Sequence, residues 1–292
     1  MHFQWYPGHM TKAKRMMQEN IKLIDLVIEL VDARVPMSSR NPDIDDLGKH
    51  KARLILLNKA DLTPDYQNDR WVEFFKAKGY SVMKINSTRT GNAKSVLAVI
   101  EEACKDKRER DRRKGILNRP VRAMVVGIPN VGKSTFINSL AGKASAKTGN
   151  KPGVTKGKQW IRLNKNVELL DTPGILWPKF EDQLVGLRLA FIGSIKDEVL
   201  NSEDLAIELI RFLITQYPGT LKERYQVVED TELYHAVLEE IARNRHCLVR
   251  GNELNLQKAS NILMDDFRHG RLGKITLEYP NEYEETSDLS DG

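Results

Sequence analysis

An eight-residue segment, "GIPNVGKS" from Gly127 to Ser134, has the composition and spacing of a loop that binds phosphate groups. It follows an apolar run typical of a strand and precedes a pattern typical of a helix, which is the context that such a loop requires. Its glycines let backbone N–H groups turn toward phosphates, and the helix N-terminus adds positive potential. Lys133 is therefore predicted to bridge β- and γ-phosphates, and the Ser134 hydroxyl is predicted to bind Mg²⁺.

Two further segments hold candidates for the same phosphate and metal site. The sequence from Asp171 to Gly174, "DTPG", ends another predicted strand. Its acid could hold Mg²⁺ through water and the Gly174 N–H could reach a γ-phosphate, although this sequence alone is also an ordinary turn. Thr155 lies in a Gly/Pro-rich loop, "PGVTKG". Thr155 either adds a second hydroxyl ligand to Mg²⁺ and orders the loop only when γ-phosphate is present, or is an ordinary loop threonine.

A second motif, "NKAD", follows the apolar run "RLILL" and predicts recognition of guanine. The Asp61 carboxylate can accept hydrogen bonds from guanine N1–H and the 2-amino group, which adenine does not offer. Asn58 can brace the loop, the Lys59 stem can lie on the ring, and Asn86-Ser87 can donate to guanine O6. The residues predicted to contact nucleotide are Asn58, Lys59, Ala60, Asp61, Asn86, Ser87, Asn130, Val131, Gly132, Lys133, Ser134, Thr135 and Gly174; those for Mg²⁺ are Ser134, Thr155 and Asp171.

Six apolar, β-branched runs predict strands, and helical patterns separate most of them. This alternation favours an α/β sheet with right-handed crossovers. From about residue 182 the pattern changes to amphipathic helices, the first of which is predicted to be capped by Ser202. The predicted strands are Asp25–Val31, Arg53–Leu57, Ser81–Asn86, Arg122–Gly127, Gln159–Leu163 and Val167–Asp171. The predicted domains are a nucleotide-binding domain over 1–180 with a basic connector at 105–120, a helical domain over 181–280, and an acidic, disordered tail over 281–292.

The order of the two nucleotide motifs is unusual, because the phosphate loop usually precedes the guanine-reading loop. Numbered from the strand before the phosphate loop, the chain supplies strands four, five and six first, and then one, two and three. No strand is missing, so the order predicts a circular permutation joined by the connector. Loops at the carboxyl ends of strands depend on the sheet and not on chain order, so the site can still form.

The composition bounds the setting in which these motifs act. The chain has 292 residues, of which 40% are hydrophobic and 29% charged. Two distant cysteines and the lack of an apolar span or signal peptide predict a cytoplasmic protein without membrane contact. The net charge is +6 although the last twelve residues hold five acids and no base, which favours a polyanionic partner. The basic segment 105–114 is either a solvated helix end and linker or a polyanion contact.

Several segments together resemble the circularly permuted GTPases of ribosome assembly. They are "WYPGHM", "DARVPMSSRNP", "NKADL", "GIPNVGKSTFIN", "PGVTKG" and "DTPGILWPK". The resemblance is specific from about residue 5 to 179 and weaker in the helical region. It implies a P-loop GTPase that binds GTP, GDP and Mg²⁺, acts in late maturation of the large ribosomal subunit precursor, and contacts its rRNA; no DNA partner is expected.

The resemblance leaves the catalytic group open. Many GTPases orient water with a Gln just after the "DxxG" glycine, but Ile175 and Leu176 stand here. Lys133 and Gly174 are predicted to act on the phosphates. The missing group is His9, a K⁺ ion held by Asn130, or the ribosome itself; Asn130 could equally only brace its loop. Hydrolysis is predicted to be slow alone and ribosome-stimulated, and to act as an assembly switch or, alternatively, only to time release of a nucleotide-gated rRNA-binding factor.

Basic residues crowd the last part of the helical region. They are expected to contact rRNA phosphates, or else to form a solvated face. These residues are Arg243, Arg245, Arg250, Lys258, Arg268, Arg271 and Lys274.

Overall fold

The computed structural model describes residues 15–89, 91–116, 119–141, 159–172, 182–195 and 201–284. The chain divides into two compact units. The first unit comprises Met1–Gln183 together with Thr276–Gly292, and the second comprises Leu184–Ile275. The C-terminal segment of the first unit therefore follows the second unit in the chain.

A six-stranded sheet forms the core of the first unit, in the spatial order β3-β2-β1-β4-β6-β5. All neighbouring strands pair in parallel except β5, which runs antiparallel to β6. This arrangement confirms the predicted mostly parallel, six-stranded sheet. The strands are β1 (Leu26–Asp32), β2 (Ala52–Asn58), β3 (Ser81–Lys84), β4 (Val121–Val126), β5 (Gln159–Arg162) and β6 (Val167–Asp171).

The pairing of β1 with β4 joins two strands that are distant in sequence. Leu26 lies opposite Ala123, and the register continues to Glu29 opposite Val126. Every residue of β1 is buried, as expected for a central parallel strand covered on both faces. The strand that precedes the phosphate loop therefore lies at the centre of the sheet, beside the first strand of the chain.

Helices follow most strands of the first unit. A cluster of Trp71, Phe74 and Phe75 packs helix α2 against the buried residues Ile55 and Leu57 of β2. The helices are α1 (Asp43–Leu47), α2 (Asp65–Ala77), α3 (Asn92–Ala103), α4 (Lys105–Arg113) and α5 (Lys133–Ala141), with short 3₁₀ helices at Ile21–Leu23, Ala60–Leu62 and Pro280–Tyr283. Residues 15–20 are also helical.

The basic connector is a helix over most of its described length. Helix α4 contains no buried residue. Lys107 joins it to the residue before β1, because its ammonium lies 3.2 Å from the carboxylate of Asp25. Within the helix, the same ammonium lies 2.7 Å from the carboxylate of Asp111. One face of the connector is therefore held by ion pairs.

The second unit consists of helices in its described residues. Helix α7 begins after Asn201, whose side chain accepts hydrogen bonds from the backbone N–H groups of Glu203 and Asp204 at 3.0 and 3.4 Å. The predicted cap, Ser202, is instead the first helical residue. Within the described residues, no helix is both long and apolar enough to cross a membrane. The helices are α6 (Gln183–Phe191), α7 (Ser202–Gln216), α8 (Thr220–Tyr225), α9 (Tyr234–Asn244) and α10 (Leu256–Arg268).

The C-terminal segment differs from the expectation of an acidic, disordered tail starting at residue 281. Residues 276–284 belong to the first unit, and a 3₁₀ helix spans Pro280–Tyr283. The Tyr283 ring lies 6.0 Å from Trp71, and its hydroxyl donates to Glu278 at 3.0 Å. An aromatic ring and a buried carboxylate thus order residues that sequence composition assigns to a solvated tail. Residues 285–292 lie outside the described chain.

Candidate functional site

The carboxyl ends of the parallel strands bring the predicted motifs to one edge of the sheet. Strand β1 ends at Asp32, β2 at Asn58 and β6 at Asp171, and Gly127 directly follows β4. Loops at this edge of an open α/β sheet form ligand sites. The guanine and phosphate motifs, separated by 65 residues in the sequence, therefore meet through the β2-β1-β4 pairing.

The phosphate loop runs against the backbone and side chains of neighbouring strands without room for side chains at two positions. A Cβ atom at Gly127 would lie 2.6 Å from the carbonyl oxygen of Leu30. Gly132 has φ +100°, and a Cβ there would lie 2.5 Å from Nδ2 of Asn58. Only glycine fits both constraints, so these residues leave a backbone-lined cradle of the kind that takes phosphate groups.

Lys133 begins helix α5 and is buried in this cradle. Its ammonium donates to the carbonyl oxygens of Gly127 at 2.9 Å and Ile128 at 3.1 Å. Burial lowers the pKa of Lys133 to about 8, and the negative charge of Asp171 only partly opposes this shift. The cradle therefore holds a cation whose charge a phosphate group would stabilise.

This environment predicts that GDP affinity falls as pH rises above about 8. Phosphate binding favours the ammonium, so the pKa of Lys133 rises in the complex and binding takes up a proton above the free pKa. Stability of the nucleotide-free protein has the opposite sign: the cost of the buried ammonium applies below pH about 8 and falls as pH rises toward the ordinary value of 10.5. Calorimetric titrations with GDP from pH 7 to 9.5 measure the dependence.

Lys133→Arg is the matched control, since its charge does not change over that range. The GDP affinity of this variant should be independent of pH where that of the unaltered protein declines by up to about tenfold per pH unit. Parallel curves for the two proteins would contradict the assignment of this titration to Lys133.

Asn58 connects the two motifs directly. Its Nδ2 donates to the carbonyl oxygen of Val131 at 2.7 Å, and its Oδ1 accepts from the backbone N–H of Ser87 at 3.0 Å and from the Ser87 hydroxyl at 2.8 Å. Both residues are buried. Asn58 thus braces the phosphate loop and the loop after β3 at once.

Lys59 makes a parallel connection through charge. Its ammonium donates to Oδ2 of Asp32 at 2.9 Å and to the carbonyl oxygen of Asn130 at 3.0 Å. Asp32 is fully buried and also accepts from Arg34. Burial by itself would raise the pKa of Asp32, but the charges of Arg34 and Lys59 outweigh burial and hold the pKa well below its usual range. Asp32 is therefore an anion that fixes the Lys59 head.

The residues predicted to read the base lie on the solvent side of this frame. Asp61 is exposed within the 3₁₀ turn Ala60–Leu62. The turn is held from behind, because the Ala60 N–H donates to Ile85 at 3.2 Å and the Ala60 carbonyl accepts from Asn68 at 2.9 Å. Asn86 orders its own loop by accepting from the backbone N–H of Thr88 at 2.9 Å. An exposed carboxylate on a braced turn is suited to binding a ligand edge.

The structure describes only some of the remaining predicted site residues. Ser134 and Thr135 lie half-buried in the first turn of helix α5, and Asp171 is fully buried at the end of β6. His9, Thr155 and Gly174 lie outside the described residues. Sequence reasoning assigned no role to Asp32 and Arg34, although their segment "DARVP" was a marker of the resemblance; the signal was an acid at the end of a predicted strand.

The residues present fit a guanine nucleotide with a divalent cation. Gly132 packs so closely against Asn58 that no Cβ atom fits there, and the buried ammonium of Lys133 follows it in the loop. A hydroxyl at Ser134 and a carboxylate at Asp171 are oxygen donors of the type that Mg²⁺ prefers.

Comparisons with known proteins agree with this geometry. A family model described as "50S ribosome-binding GTPase" matches residues 122–249. The chain is 51% identical to ribosome biogenesis GTPase A of Bacillus cereus over 285 residues, which cover 98% of this chain and 96% of that protein. It is 31% identical to the Thermotoga maritima protein of the same name, over 95% of each chain. The chain belongs to the ribosome biogenesis GTPase A family.

Solved structures support the same assignment. The GNP-bound YlqF structure from T. maritima matches with a TM-score of 0.65 at 27% identity, covering 92% of this chain and 98% of that chain. Its GDP-bound form matches with a TM-score of 0.67 at 25% identity, covering 91% and 100%. As a ribosome biogenesis GTPase A family member, the chain binds guanine nucleotide and hydrolyses GTP on a circularly permuted GTPase fold. The family model begins at β4, the strand that would come first in a GTPase whose chain is not permuted.

Proposed function

We propose that this GTPase binds the precursor of the large ribosomal subunit in the cytoplasm and promotes its late maturation, with GTP hydrolysis as the switch. The observation that carries the proposal is the span of the family model. Its match begins at the strand before the phosphate loop and continues to residue 249, through most of the helical unit. A sequence pattern described by ribosome binding thus includes both the nucleotide cradle and helices that lie outside it.

The proposed nucleotide contacts divide into a phosphate side and a base side. Lys133 binds the β- and γ-phosphates together with backbone N–H groups from Asn130 to Thr135. Asp61 accepts from guanine, the Lys59 stem lies along the ring, and the loop at 86–87 faces guanine O6. Mg²⁺, when bound by Ser134, Asp171 and the sequence-predicted Thr155, neutralises charge on the phosphates. Gly174 is proposed to donate its N–H to the γ-phosphate.

The free protein is proposed to lack a correctly placed group that orients the attacking water. Ile175 has no polar atom with which to orient water. Three proposed sources remain: His9 brought in by docking, a K⁺ ion held at Asn130, and the ribosome. Asn130 has φ +60°, and its carbonyl accepts from Lys59, so loop bracing is already among its functions.

The helical unit narrows the set of bases proposed to contact rRNA. Arg268 donates to the carbonyl oxygens of Phe191 and Ala190, both at 3.0 Å, and Arg245 donates to that of Arg224 at 2.8 Å. These two guanidiniums hold the unit together. The more exposed bases, which carry the proposed RNA contact, are Arg243, Arg250, Lys258, Arg271 and Lys274.

Charge reversal tests the proposal while leaving the fold intact. Truncation near residue 179 would also remove residues 276–284, which pack in the first unit. We therefore expect Arg250→Glu/Lys258→Glu to weaken co-sedimentation with large-subunit precursors and to lower the salt slope of log K by about 2. Lys49→Glu/Lys165→Glu, which reverses two exposed charges of the first unit, is the matched control.

Binding and maturation of the same large-subunit particles distinguish the two proposed roles of GTP hydrolysis. The free protein should turn over at about 10⁻⁴–10⁻³ s⁻¹ and be accelerated by large-subunit particles. If hydrolysis drives maturation, protein loaded with a non-hydrolysable analogue should bind particles without maturing them. Maturation with the analogue would show that hydrolysis only times release. The proposed function would be refuted if both double variants bound the particles equally well, or if particle binding were the same with GTP and with GDP.

A further inference from the structure

The segment that follows the helical unit closes over the loop after β1. The Leu277 N–H donates to the carbonyl oxygen of Arg34 at 2.9 Å. Glu278 is fully buried, and its carboxylate accepts from the backbone N–H groups of Met37 at 2.8 Å and Ser38 at 2.9 Å. The hydroxyl of Ser38 also donates to this carboxylate. A carboxylate with several donors is a strong anchor for a loop that lacks regular structure.

The anchored loop leads directly to the nucleotide frame. Arg34 donates from Nε to Oδ1 of Asp32 at 2.9 Å and from Nη2 to Oδ2 at 2.8 Å, a two-point contact that fixes the plane of the carboxylate. The same Oδ2 accepts from the Lys59 ammonium, which reaches on to the Asn130 carbonyl. The connection from residue 278 to the phosphate loop is therefore continuous.

We propose that Asp32, Arg34 and Glu278 are positioning residues for the guanine nucleotide: they hold Lys59 against the phosphate loop. The inference rests on the proposed contact between Lys59 and the base. None of the three is among the residues proposed to contact the nucleotide. Their role is to fix where the Lys59 stem lies, and through its head, where the Asn130 carbonyl lies.

Backbone conformation explains why such support is needed. Lys59 has φ +58° and Asn130 has φ +60°. Left-handed conformations cost energy for residues other than glycine and persist where surrounding contacts over-determine them. The Lys59–Asn130 hydrogen bond joins these two residues, so loosening Asp32 relaxes both loops together. The side chain of Lys59 is one-quarter exposed, whereas that of Asp32 is fully buried. Asp32 is therefore the more rigidly held partner of this ion pair.

Release of GDP measures this positioning. Arg34→Met should accelerate GDP dissociation about 10-fold, because the Asp32 carboxylate loses its two-point contact. Lys59→Met should have a similar effect. The double variant should release GDP no faster than either single variant, since both changes remove the same restraint.

Arg40→Met is the matched control. Arg40 lies in the same loop, is buried, and pairs with Glu29 at 3.0 Å, a carboxylate that has no described contact with Lys59. Both variants lose a buried ion pair and should be less stable toward unfolding, but only Arg34→Met should change the rate of GDP release. A control variant with equally fast release would reduce Arg34 to a structural role.

Milder variants keep the test decisive if Arg34→Met does not fold. Thr276→Val removes the hydroxyl that donates to the Glu278 carbonyl at 3.0 Å, and Tyr283→Phe removes one donor to its carboxylate. Each should speed GDP release about 2- to 3-fold. Unchanged release in these variants, or multiplicative effects in the Arg34/Lys59 pair, would overturn the inference. Failure of the unaltered protein to prefer guanine would instead refute the proposed base contacts.

Discussion

Asp61→Asn should weaken GTP binding by about 10²- to 10⁴-fold and make xanthosine triphosphate the preferred ligand. The carboxylate is proposed to accept two hydrogen bonds from guanine, and each bond to a charged acceptor contributes about 1.5–3 kcal/mol. An amide at this position presents a donor to the ring edge, which matches the additional acceptor of xanthine. Competition titrations with GTP, ATP and xanthosine triphosphate measure both effects.

Asp65→Asn provides the comparison for Asp61, because this acid is also exposed and lies four residues further on, at the start of α2. It should bind GTP as the unaltered protein does. Displacement by ATP as effective as by GTP in the unaltered protein would remove the base-reading assignment from Asp61, while leaving the phosphate side of the site untouched.

Gly132→Ala is the second change with a large expected effect. A methyl group would lie 2.5 Å from Nδ2 of Asn58, which is buried and engaged with Val131 and Ser87. Relief requires breaking those hydrogen bonds, at about 1–3 kcal/mol, in addition to the cost of about 1–2 kcal/mol for alanine in a left-handed conformation. We expect GTP affinity to fall at least about 10-fold and the nucleotide-binding unit to unfold at lower denaturant concentration.

Gly115→Ala separates collision from backbone strain. Gly115 has φ +77°, and a Cβ there would meet no atom within 4 Å. This variant carries the conformational cost alone, so it should be mildly destabilised and bind GTP normally. If Gly132→Ala behaves like Gly115→Ala in both measurements, the loop has room that the structure does not show, and the tight contact with Asn58 is not required for binding.

Local sequence patterns were sufficient for the architecture of the nucleotide-binding unit. Apolar runs predicted six strands, and all six occur within a few residues of the expected bounds. The phosphate loop could be recognised because its glycines, lysine and helix start are contiguous. The permuted order was readable as well, since motif order is a property of the chain. The family assignment confirmed the fold that these patterns predicted.

Tertiary structure alone decided how the motifs are supported. Nothing in the sequence relates Glu278 to Ser38 across 240 residues, and the sequence patterns placed Glu278 in the helical domain. Only the folded chain supplies the buried N–H donors that make its carboxylate an anchor. Asp32 likewise reads as one acid among many until packing places Arg34 and Lys59 around it. Contacts between distant segments depend on where the sheet brings them, and local pattern carries no information about that meeting.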